Sequence, residues 1–112
     1  MATAVFRFDG DRIEYTPSSD VGAGDVVVQG DLVGIATEAI DASVQGSLAV
    51  EGVFTVPKAV TSGSALTAGT KVYWDAANEI ATTTVGSNKY MGKVVKAAAA
   101  TTATVDVRLG QA

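Results

Sequence analysis

Seventeen valines and thirteen threonines in a chain of 112 residues, cut by turn-forming stretches every eight to twelve residues, leave this sequence few folds to choose from. Both residue types branch at Cβ, which costs them rotamer freedom in a helix and suits them to a pleated sheet. Asp9-Gly10 precedes an alternating run over 11–16, and Ala23-Gly24-Asp25 turns the chain into three valines at 26–28. Gly30-Asp31 then turns it again into 32–36. Further strand-like pieces lie at 48–51 and 53–56, divided by Gly52, and at 71–74, 79–84 and 91–96. The clearest strand is 102–109, where Val105, Val107 and Leu109 alternate with Thr104, Asp106 and Arg108. The spacing predicts an all-β fold, a small β-barrel or β-sandwich of short strands. Only 96–103, with alanines at 97–100, competes as a short helical turn, and an irregular connection is the expected form there.

A shift of 45 residues lays Ser19, Ala23, Gly24, Val27, Ile35, Ala36, Thr37 and Val50 on Ser64, Ala68, Gly69, Val72, Ile80, Ala81, Thr82 and Val95. These eight identities in 32 positions fit either two related β units or shared composition with similar turn chemistry. The length fits one domain, 1–112, with residues 1–8 as an N-terminal arm or a first strand. Nineteen alanines against four leucines and four isoleucines make a core that buries little area per side chain. Oligomerisation is a common remedy for a small domain of that kind.

The formal net charge of −4 and pI near 4.5 supply no overall positive field for a phosphate backbone or an anionic membrane, so direct nucleic-acid binding is not expected. No stretch reaches the length of a membrane span, and Arg7, Asp9, Asp11 and Arg12 interrupt what a signal peptide would need. The expected product is soluble and made in the cytosol. The chain holds neither His nor Cys, so thiolate metal sites and the familiar catalytic triads and dyads cannot be built. Ser87 with Lys89, and Ser62 with Lys58, are the formal Ser–Lys pairs, and both read as ordinary surface residues. Asp9 and Asp11, and Asp25 and Asp31, lack the ligand pattern of a calcium loop and read as turn formers. Gly22, Gly24 and Gly30 miss the dinucleotide spacing. No catalytic residue, cofactor, metal or small-molecule substrate is expected.

Lys89, Lys93 and Lys96 form a locally basic stretch, either a solvated strand face or a contact for an acidic patch on a neighbouring protein. Trp74 is a candidate anchor for a partner, with core packing as the competing role, and Tyr73 beside it must point to the opposite face of a strand.

Taken in order, the segments 9–16, 23–28, 30–36, 51–58, 67–75, 91–93 and 105–109 resemble a family of small phage head proteins, the capsid cement or decoration proteins, sometimes mislabelled as recombinase-like. The resemblance runs over nearly the whole chain. It implies a compact β domain on the exterior of the virion capsid, bound to the major capsid protein and reinforcing the head, often as a trimer at a local three-fold. It supplies no catalytic residues. Ala4, Val5, Phe6 and Phe8 are the candidates for an arm that adds to a neighbour by strand pairing, with a first strand of the same domain as the alternative. Two other functions compete. A carbohydrate-binding or host-surface adhesion module would expose an aromatic platform around Trp74 or Tyr73, and a small hydrolase would use carboxylates such as Asp9 or Asp25.

Overall fold

Gly24 and Gly69 both take a positive φ, 91° and 90°, a backbone conformation that side chains with a Cβ rarely adopt. Each ends a turn and opens a strand. In the computed structural model, which describes residues 4, 7, 10–60 and 63–110, these two turns hold equivalent places in two halves of the molecule, between the first and second strand of each. The strands are β1 (Arg12–Tyr15), β2 (Val26–Gln29), β3 (Leu32–Ala36), β4 (Gly46–Ala49), β5 (Gly52–Pro57), β6 (Lys71–Asp75), β7 (Ile80–Thr82), β8 (Lys89–Val94) and β9 (Thr104–Leu109). The all-β expectation holds. The described residues include no helix, and hence none long and apolar enough to cross a membrane. The alanine-rich connection takes the irregular form, pinned by a bridge between Leu66 and Ala98.

Four strands form one antiparallel sheet in the order β1-β4-β3-β2, and five form a second in the order β5-β9-β8-β6-β7. Without β7 the two orders are the same, with β1, β2, β3 and β4 matching β5, β6, β8 and β9. The hydrogen bonds repeat too. Gly24 donates to the Ala36 carbonyl at 2.6 Å and Ala36 donates back to Asp25 at 2.9 Å, while Gly69 and Val94, and Val94 and Thr70, do the same at 2.6 and 2.9 Å. Val27 lies opposite Gly34, and Val72 opposite Gly92. Between equivalent positions the offset is thus 45 residues from β2 to β6, 58 from β3 to β8 and 59 from β4 to β9.

This corrects part of the internal echo. Ile80, Ala81 and Thr82 align with Ile35, Ala36 and Thr37 in sequence, yet they form β7, an added edge strand, while the counterpart of β3 is β8. β7 has its own use. A parallel bridge from Ala81 to Lys58, just past β5, brings the edges of the five-stranded sheet together and closes it into a small barrel.

Each unit fills the same face. Val72, Val94, Val105, Val107 and Leu109 point into the barrel with Trp74 and Met91, and Ala36, Leu48 and Ile40 form the matching cluster in the four-stranded sheet. On its other face that sheet presents Val33, Ile35 and Val26 to the barrel cluster, so β3 is buried on both sides and joins the units. Alternation in β9 is as read from the sequence, with Val105, Val107 and Leu109 all buried.

The barrel closure also holds an unexpected charge. Lys58 is 4% exposed, and its Nζ donates to the carbonyls of Ala59 at 2.6 Å, Thr102 at 2.8 Å and Ala100 at 3.4 Å and to Ser64 Oγ at 3.5 Å. These contacts tie the loop after β5 to the loop before β9. Hydrogen bonds from a charged donor are worth about 1.5–3 kcal/mol each, and the cost of burying the ammonium offsets part of that sum. Lys58→Met keeps the stem and removes the donors; it is expected to lower unfolding free energy by about 2 kcal/mol, measured by urea denaturation.

Candidate interaction surface

Of the residues singled out as catalytic possibilities, Asp25, Asp31, Lys58 and Lys89 make contacts that explain them as structure. Asp25 accepts the Gly22 amide at 2.8 Å, closing the turn before β2. Asp31 pairs with Lys89 at 2.7 Å, linking the β2–β3 turn to β8 across the two units. The hydrogen bond from Lys89, and then its charge, hold the Asp31 carboxyl below the ordinary aspartate value. Asp9 and Ser62 lie outside the described residues, and the serine beside Lys58 is Ser64, which donates to the Ala100 carbonyl at 3.1 Å. Lys58 Nζ reaches the same Ser64 Oγ at 3.5 Å, so the pair is part of the contacts that join the loop after β5 to the loop before β9. Among the described residues no three acidic side chains gather as a metal site would require.

Trp74 is 6% exposed and packs in the barrel core, with an edge reaching a groove lined by Val26, Pro57 and Glu79. Tyr73 points the other way, as adjacent strand residues must, and packs edge-to-face on Tyr90 with ring centroids 5.8 Å apart. This pair is half-buried on the outer face of the barrel. The aromatic platform that glycan binding would need therefore does not centre on Trp74. Of the proposed arm, Ala4 is exposed, and Val5, Phe6 and Phe8 lie outside the described residues.

The basic stretch divides. Lys89 turns to Asp31, Lys96 sits exposed in the following loop, and Lys93 lies between Lys71 of β6 and Arg108 of β9 as their direct cross-strand partner. Arg108 lies in turn opposite Val53 of β5, which is 58% exposed. One row across four strands thus reads Val53, Arg108, Lys93, Lys71, all exposed, and none of its three cations has an ion-pair partner among the described residues. Sequence inspection finds only Lys93 of this row, because Lys71 and Arg108 join it through strand register. Register was the signal available, through the outward positions of the alternating β9 run.

Charge is divided between the units as well. Residues 1–51 carry nine acidic and two basic side chains, and residues 52–112 carry three acidic and six basic, formally −7 and +3. The whole-chain value of −4 conceals this.

The family model described as phage cement protein matches residues 8–109, spanning both units. The chain belongs to the phage cement protein family. Neither a curated protein nor a solved structure matches it. The role of this cement protein is structural: it stabilises a phage capsid, and its place is the virion. That role asks for surface and rigidity. The parts described above meet it, with a closed barrel, a second sheet docked through β3, and an outer face carrying cations and a tyrosine pair.

Proposed function

We propose that the protein binds the outer surface of the assembled head as a homotrimer and clamps neighbouring copies of the major capsid protein. The observation that carries this reading is the family match over residues 8–109, which takes in both β units. A symmetric oligomer that engages several subunits at once multiplies weak contacts into a tight hold, so no single deep pocket is needed. The four-stranded sheet favours an arm exchange: β1 and β2 are its outer strands, each hydrogen-bonded to a strand on one side only among the described residues. An edge of that kind can accept an added strand. Residues 1–8, with Ala4, Val5, Phe6 and Phe8, are the proposed arm, reaching a neighbouring subunit. Trp74 contributes by holding the barrel face rigid, with its edge at the groove as the one place where it could meet a partner.

The test mixes purified protein with undecorated, expanded heads of the cognate phage. Saturable binding and raised resistance of the heads to heat are expected, and removal of residues 1–8 is expected to weaken binding by about tenfold or more while leaving the thermal transition in place. Absence of binding, with unchanged heat resistance of the heads, would overturn the proposal.

A further inference from the structure

The row of Arg108, Lys93 and Lys71 has a counterpart in the first unit. By the strand equivalence, Val26 and Ile35 stand where Lys71 and Lys93 stand, and Ala49, the β4 partner of Ile35, stands where Arg108 stands. In the first unit this row is apolar and faces the barrel cluster, so the same surface is used for packing in one unit and carries three like charges in the other. Like charges directly opposite one another in a sheet are unfavourable. Lysines often guard sheet edges against stray pairing, and Lys71 lies before the stretch of β6 that β7 covers, but Lys93 and Arg108 each have a strand on both sides and need no such guard. Edge protection therefore does not explain the like-charge pair of Lys93 and Arg108 at the centre of the row.

We infer that this face binds a second copy of the same chain, the acidic β1–β4 unit of one protomer lying on the basic row of the next. The occupant follows from charge complementarity within the chain: the unit opposite in sign to the row is the chain's own first half, formally −7. The flanking residues suit an interface, since Tyr73 and Tyr90 form a half-buried aromatic pair beside the row and Val53 ends it with an exposed apolar side chain. A three-fold ring needs two unlike, complementary patches on each subunit, because its contacts run head to tail. Two units of opposite charge provide them. This inference rests on the oligomeric reading proposed above and names the surfaces that make it.

The experiment uses the full chain in solution, without heads. Sedimentation at low salt is expected to show an oligomer whose dissociation constant rises roughly tenfold or more on going to high salt. The triple variant Lys71→Glu, Lys93→Glu, Arg108→Glu is expected to sediment as a monomer with an unchanged thermal transition. Zero-length amine-to-carboxyl cross-linking of a mixture of isotopically labelled and unlabelled wild-type protein should join Lys71 or Lys93 of one copy to an acidic residue within 11–51 of another. A monomer at every salt concentration, or intermolecular links that bypass these lysines, would overturn the inference. So would a triple variant that associates as well as the wild type, since the row would then merely keep copies apart. Saturable head binding alongside any of those results would leave the proposed function standing and remove only this contact.

Discussion

Gly92→Ala is expected to unfold the protein or destabilise it by about 4 kcal/mol or more, a loss comparable with the whole stability of a small domain. A Cβ on Gly92 would lie 2.0 Å from the Arg108 carbonyl oxygen and 2.8 Å from its carbon. Both are backbone atoms of β9, so no side-chain rotation relieves the overlap; β8 and β9 would have to part in the middle of the barrel. The matched control is Gly34, which occupies the same position in the four-stranded sheet, opposite Val27 as Gly92 is opposite Val72. A Cβ there meets Leu48 Cβ at 3.0 Å and the Ala49 oxygen at 3.3 Å, a contact that a small shift can absorb. Gly34→Ala is expected to cost about 1–2 kcal/mol. Urea denaturation of the two variants side by side checks both numbers. Equal and small effects would mean that β8 and β9 do not approach as described.

Trp74→Ala is expected to cost about 3–5 kcal/mol, the usual range for removing a large aromatic side chain from a core. For a domain of this size that lowers the thermal midpoint by roughly 15 °C or more. The reason is position: Trp74 packs with the valines of β6, β8 and β9 and with Met91 where β8 bulges against β6, between Val72 and Tyr73. No other tryptophan is available to fill that volume. The measurement also separates two roles that the sequence leaves open. A variant with an unchanged midpoint that no longer binds heads would make Trp74 a contact residue. A lowered midpoint, with head binding intact at temperatures where the variant is folded, would make it a core residue.

The two substitutions test different kinds of information. Trp74 could be marked as a large apolar residue in a strand, and its neighbour Tyr73 had to face the other way, because the two-residue period of a strand is a local property. The same period placed Val105, Val107 and Leu109 in the core, as the structure has them. Gly34 and Gly92 carry no such mark. Nothing next to either glycine in the chain distinguishes the one that a methyl group would wreck from the one that tolerates it. The difference lies in how closely β9 passes β8, which depends on packing across the whole barrel.

The valines and threonines, with their turns, determined that this chain makes short antiparallel strands, and the order of those segments carried the likeness to the cement proteins. Local sterics suffice for both. The 45-residue echo was sound at Gly24 and Gly69, where a positive φ demands glycine, and misleading at Ile80 to Thr82, where the inserted β7 broke the offset. Two things were decided by tertiary structure alone: the closure of the barrel over Lys58 and the alignment of Arg108 with Lys93 and Lys71. Each depends on the register between strands distant in sequence. Register is set by how the cores fill, and that is a sum over contacts no short stretch of the chain contains.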